Sequence, residues 1–139
     1  MIELARRPDE LVNAEMISVA QDIPAPFLRS AILPDLRRAG LVLSTRGPEG
    51  GYRLARPADE ISLGDVIRGA DGPLASVHGE RPQDVVYAEH TQVLRDVWVA
   101  MRASLREVLD TTTLEHLVQG TLPDTVMQLL ESPACWQNR

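Results

Sequence analysis

The chain has 139 residues and a formal net charge of −6, with fourteen basic residues, all arginine, and a single cysteine. That length suits one compact domain, or a small domain with a long appendage, and permits a core without disulfide staples. No run approaches bilayer-spanning length and the first residues lack a secretory pattern, so a soluble, cytoplasmic chain without disulfides is expected.

In chain order, the first clear element follows Asn13, a good N-cap for a short helix carrying Ala14, Met16, Ile17, Val19 and Ala20 as an apolar pattern. Gln21, Asp22 and Ile23 make a brief connection. Pro24 or Pro26 suits the first turn of a second helix, in which Leu28, Ile32 and Leu36 recur every fourth residue with Phe27 and Leu33 beside them. Gly40 ends it as the residue past the C-cap. Leu41, Val42 and Leu43 then favour an extended run, and Tyr52, Arg53 and Leu54 a returning strand. Between them Gly47, Pro48, Gly50 and Gly51 supply the backbone angles of a tight reversal, with Arg46 at its shoulder. Two helices, a short turn and a hairpin in this order spell a winged helix-turn-helix, whose second helix is offered to the major groove of DNA. A glycine-rich hairpin with arginines can lie along a phosphate backbone or insert a guanidinium into a narrow minor groove. The same residues also fit a plain surface hairpin with solvated arginines.

Charge is distributed unevenly. From Ala25 to Pro57 six arginines face two acids, a net +4, whereas from Ala58 onward six arginines face thirteen acids, a net −7. The positive charge therefore gathers where nucleic acid would bind, while the acidic remainder repels it. Arg37 and Arg38 also have a purely structural use, as cations at a helix C-terminus.

After the hairpin, Pro57 to Glu60 is a turn, and Ser62 caps a helix running to about Ala70 with Asp65 in its first turn and Ile61, Leu63, Val66 and Ile67 inward. Asp71, Gly72 and Pro73 stop it, and a polar loop follows through Gly79, Glu80, Arg81 and Pro82. The longest helix spans about Ala88 to Asp110. Val93, Leu94, Val97, Trp98, Met101, Leu105, Val108 and Leu109 give it an apolar stripe that needs a partner. Thr113 caps a short helix from Leu114 to Val118 ended by Gly120, and Pro123 to Leu130 forms a last amphipathic segment. Tyr87 and Trp98 fit interface core better than an effector pocket, and Cys135 fits an inert terminal thiol better than a redox sensor. No nucleophile elbow, phosphate loop, His-Glu metal helix or cysteine pair is present, so an enzyme is not expected.

The segment Asp35 to Leu74, DLRRAGLVLSTRGPEGGYRLARPADEISLGDVIRGADGPL, resembles the signature of the IscR/NsrR group of bacterial transcriptional regulators, the Rrf2 family. The likeness is strong over residues 13 to 74 and weaker to about residue 120. It implies a homodimeric winged helix-turn-helix repressor or activator on a partly palindromic operator. Residues at the start of the second helix would read bases, Arg46 would enter the minor groove, and the long helix would cross to the other subunit.

The chain departs from that family pattern in three places. Many members hold an iron-sulfur cluster through three cysteines in the loop after the conserved block, but Ala75 to His90 contains none, and Cys135 alone cannot supply that ligand set. His78, His90, Glu80 and Asp84 are conceivable ligands in their place, and solvated side chains are the simpler reading. Members usually begin further upstream, so Ile2 to Arg7 matches only the end of their first helix. This predicts either a misassigned start or a short first helix that leaves apolar surface open. Finally, Phe27 to Leu36 is one residue longer than usual and holds Pro34, which costs about 3 kcal/mol in a helix interior and predicts a bend or bulge.

The expected architecture is thus mainly α with a small β-hairpin wing. Residues 1–74 form a winged helix-turn-helix domain, 75–90 a loop, and 91–139 a dimerisation helix and tail. Double-stranded operator DNA would be met by Pro26, Arg29, Ser30, Arg37, Arg38, Arg46, Gly50, Tyr52 and Arg53, and a second copy by Val93, Val97, Trp98, Met101 and Leu105. The expected function is a sequence-specific, homodimeric transcriptional repressor answering to an unknown effector, without a three-cysteine iron-sulfur site, metal or membrane partner. The alternative is a winged-helix dimerisation module that acts through protein contacts and does not bind DNA.

Overall fold

A computed structural model describes residues 1–137. A short α1 (Ile2–Ala5) leads to α2 (Ala14–Gln21), and the side chain of Asn13 accepts from the Met16 amide at 2.8 Å as the predicted N-cap. The buried Glu3 binds the two together, accepting from Arg6, Arg7 and Gln21 at 3.3, 3.0 and 3.1 Å. Only Ala14 and Ile17 of α2 enter the core. Met16 and Val19, expected on its apolar face, are exposed, because α2 packs on the next helix along a narrow edge.

That next helix, α3 (residues 25–38), changes its winding along its length. Ala25–Phe27 is α-helical, Leu28–Ile32 forms a π-turn, and Leu33–Arg38 returns to α. The Leu33 amide donates to the Leu28 carbonyl five residues back, so this turn holds one residue more than an α-turn, the kind of bulge predicted for this stretch. Pro34 falls in the first turn of the resumed α-helix, where its missing N–H costs least. The wider turn also re-phases the apolar stripe. Leu28, Leu33 and Leu36 are buried, whereas Ile32 is half-buried and Phe27, expected beside the core, is 56 % exposed.

Gly40 adopts φ +71° past the end of α3, as predicted for a residue beyond the C-cap. Leu41 is core, and the wing strands start one residue later than Leu41 and one earlier than Tyr52, as β1 (Val42–Thr45) and β2 (Gly51–Leu54). They pair antiparallel with Val42 opposite Leu54 and Ser44 opposite Tyr52. The far edge of β2 is closed by Val12, whose backbone exchanges two 2.9 Å hydrogen bonds with Tyr52. This bridge fixes the wing to the start of α2. Gly51 is required there, because a Cβ would press on the Val12 carbonyl.

Beyond a 3-10 turn at Ala58–Glu60, α4 (Leu63–Asp71) opens with a reciprocal capping box between Ser62 and Asp65. Ile61 is fully buried with Leu4, Leu41 and Leu114, but Leu63, Val66 and Ile67, expected inward, are only half-covered. Leu63 and Val66 border an apolar hollow of about 260 Å³ shared with Ile2, Ile32, Leu36 and Leu117. The loop after α4 holds a tight reversal at His78 and Gly79, both at positive φ, then a 3-10 turn at Glu89–Thr91 that enters α5 (Gln92–Leu109). Helices α6 (Leu114–Gln119) and α7 (Asp124–Leu130) follow, with Thr113 and Gly120 capping α6 at its two ends as predicted. No described helix is long and apolar enough to cross a membrane.

The C-terminal end of α5 is tied to the winged module in two ways. The backbone of Leu63 donates to Thr112 at 2.8 Å and Leu114 donates back to Ile61 at 2.9 Å. Beside this bridge, Arg68 donates to Asp110 at 2.7 Å and to Asp65 at 2.9 Å, Arg106 donates to Asp110 at 3.0 Å, and Arg56 reaches Asp65 at 3.4 Å. Burial pushes both carboxyls up, but the Arg68 hydrogen bonds, with Arg106 on Asp110 and the Ser62 amide on Asp65, outweigh it and hold both below the ordinary range. Because the folded carboxyls are the more acidic, their stabilisation is full above the unfolded value of about 3.9 and is lost as pH falls through the lower folded value. Asp110→Asn should therefore cost about 1 kcal/mol near neutrality, the scale of partly exposed ion pairs. It should also flatten the acid limb of stability against pH, read by urea denaturation between about pH 5 and 3. An unchanged acid limb would show that the network carries no stability.

Candidate nucleic-acid interface

The wing and α3 enclose one cleft. Arg29 and Arg37 come from α3, Ser44, Thr45, Arg46, Gly47 and Gly50 from the wing, Tyr52 from β2, and Asn13 and Glu15 from the start of α2. Gly47, at φ +115°, accepts at 2.9 Å from the Gly50 amide and closes the turn that puts Arg46 at the wing's shoulder. Five of the nine residues expected on DNA, Arg29, Arg37, Arg46, Gly50 and Tyr52, thus meet in one concavity.

The other four lie elsewhere. Arg38 borders an adjoining groove with Pro34, Arg37, Leu43 and Ser44, and pairs with Asp35 at 2.9 Å within the last turns of α3. Pro26 and Ser30 are exposed on α3 beside the exposed Phe27. Arg53 does not join the cleft. Opposite Leu43 on the other face of the hairpin, it lines a groove with Pro8, Ala55 and Arg56. Strand alternation forces this, since Tyr52 and Arg53 are neighbours and only one can face α3.

One feature of the cleft was not legible from residue order. Glu15, in the first turn of α2, accepts a hydrogen bond from the Arg29 guanidinium. That bond, ahead of its own backbone, holds the Glu15 carboxyl below the usual range. Arg37 and Arg46 have no acidic partner among the described residues, so their charge is free for an anionic ligand.

A second exposed surface runs along α5. None of its residues is buried; Val93 is 76 % exposed, Val97 58 % and Met101 and Leu105 40 % each, with Trp98 half-buried. The preceding loop lies against this helix through Gln83, which accepts from Arg102 at 2.9 Å.

A helix-turn-helix with an arginine-bearing wing, joined to a long helix with an open apolar face, defines a DNA-binding regulator of the winged-helix class. The chain belongs to the Rrf2 family, described as iron-dependent transcriptional regulators, whose model matches residues 1–120. It is 48 % identical over 132 residues to a protein of Mycobacterium tuberculosis assigned as an HTH-type transcriptional regulator, covering 94 % of this chain and 81 % of that one. Among solved structures it resembles CymR, the global cysteine regulator of B. subtilis, at TM-score 0.69 and 36 % identity over 86 % of this chain and 88 % of that one. It also resembles T. potens IscR, at TM-score 0.65 and 32 % identity over 86 % and 77 %.

Among the described residues, the side chains that the sequence offers as metal ligands lie apart from one another. The chain's one thiol, Cys135, is exposed in the terminal 3-10 turn, where it donates to the Leu129 carbonyl at 2.9 Å. His78 and Glu80 sit in the tight loop reversal and His90 in the turn before α5. Together with Asp84, they form no cluster of three or more metal-binding side chains among the described residues.

Proposed function

We propose that the chain is a homodimeric repressor that occupies an operator through the cleft between α3 and the wing and answers to a signal other than a three-cysteine cluster. The observation that carries this reading is the convergence of Arg29, Arg37 and Arg46 on one concavity. Their charge comes from the basic segment of an otherwise acidic chain, so the field is concentrated on this face. The open stripe on α5 supports the dimer, since two copies would cover Val93, Val97, Trp98, Met101 and Leu105 together. Two modules held in this way would read the halves of a palindrome. The cytoplasm is the compartment in which such a protein meets its operator.

The test is a gel-shift series on DNA from the gene's own upstream region, across salt concentrations. Specific retardation is expected, with log affinity falling linearly with log salt and a steep slope set by the phosphates neutralised. Binding indifferent to sequence, or absent at micromolar protein, would favour the protein-interaction alternative. An absorbance spectrum of protein purified without oxygen should show no visible cluster bands, and their presence would refute the cofactor reading.

A further inference from the structure

The ion pair between Glu15 and Arg29 is out of place on a surface that only collects phosphates. Both side chains are open to solvent, 64 % and 46 % exposed, and both line the cleft with Arg37 and Arg46. A carboxylate here repels the backbone of DNA and neutralises one of the three arginines that would attract it. What the pair supplies is direction. A free arginine spreads its guanidinium over many rotamers, at a cost of about 2 kcal/mol when one is selected. Arg29 is held at two points: its backbone lies in the π-turn of α3, and one terminal nitrogen is tied to α2.

A guanidinium has five N–H donors in a planar fork, and Glu15 engages one of its nitrogens, leaving others free. Two donors of such a fork match O6 and N7 of guanine in the major groove, the commonest specific contact between an arginine and a base. The geometry points to Arg29 as the reader of a guanine, with Glu15 as the positioning residue that sets the preference for that base rather than the strength of binding. This rests on α3 being the helix offered to the major groove. The residue added to α3 belongs to the same device, because the π-turn that accommodates it carries Arg29.

The experiment uses the full chain and selection from randomised double-stranded DNA, followed by anisotropy titration of single-base-pair variants of the selected site. Wild type, Arg29→Ala, Glu15→Ala and Glu15→Gln are compared, with circular dichroism to confirm the fold. Wild type should prefer G·C at one position of each half-site by roughly ten- to one-hundred-fold, the range of a good bidentate contact. Arg29→Ala should abolish that preference and weaken binding to the selected site by a similar factor, while the preferences at the other positions persist. Glu15→Ala should reduce it several-fold at the same position while binding to sites lacking that guanine is unchanged or tighter, and Glu15→Gln should fall between. If Glu15→Ala instead raises affinity for every sequence equally and leaves discrimination intact, Glu15 is only an electrostatic brake and the inference fails. If Arg29→Ala loses no base preference, it fails as well. A wild type that selects no sequence, with Arg46→Ala binding DNA as wild type does, would overturn the placement of α3 and the wing on DNA and this inference with it.

Discussion

Val97 and Met101 changed together to glutamate are expected to give a folded monomer that has lost about 100-fold or more of the operator affinity of wild type. The two residues lie four apart on α5, hence on one face, and no residue of that helix is buried within the single chain. Their replacement therefore leaves the fold of each copy intact. At an isologous interface each substitution counts twice, so four apolar side chains leave the contact and four carboxylates are forced together. A fully buried valine or methionine contributes about 1.5 to 3 kcal/mol, which makes the loss large compared with the stability of an ordinary dimer. Loss of the second half-site then removes the gain from bivalent binding, on the order of 10²- to 10⁴-fold. Sedimentation equilibrium reads the first effect and anisotropy on the full palindrome the second. A variant that stays dimeric would place the interface elsewhere, and a wild type that is monomeric at micromolar concentration would remove the dimer altogether.

Local chemistry made most of this fold readable. Asn13, Ser62 and Thr113 each turn a side-chain oxygen to an amide of the first helical turn, and Gly40 and Gly120 take the positive φ that ends a helix, so boundaries were visible in residue type alone. The extra residue before Leu36 and the proline at 34 marked an irregular helix, although its solution as a π-turn, with Leu33 rather than Ile32 in the core, needed the backbone path. Contacts between distant segments were not legible. Glu15 looks from its position like any acid placed at a helix start, and only the packing of α2 on α3 brings it to Arg29. Arg68 and Asp110, 42 residues apart, carry no motif that pairs them. Arg53 and Tyr52 are neighbours in one strand, so the alternation of side chains already puts them on opposite faces of the hairpin.

Arg46→Ala is the sharpest single test of the wing. Its side chain stands at the turn with no acidic partner among the described residues, so nothing in the free protein is lost when it is removed and stability should be unchanged. On DNA the guanidinium would make hydrogen bonds to charged oxygens, or enter a narrow minor groove where the negative potential is concentrated. Such bonds contribute about 1.5 to 3 kcal/mol, so an affinity loss of roughly ten- to one-hundred-fold per site is expected. The salt dependence then separates the two modes. If Arg46 neutralises a phosphate, the slope of log affinity against log salt should shrink by about one for each wing of the dimer. If it reads the minor groove, the loss should be greatest on A·T-rich flanks, and Arg46→Lys should not restore it, because a point charge lacks the planar fork. Arg53→Ala is the internal control. It removes the same charge from the face of the hairpin turned away from α3, so its effect on both affinity and slope should be small. Equal losses from the two variants would mean that the wing acts only through net charge and that the cleft does not define how DNA is held.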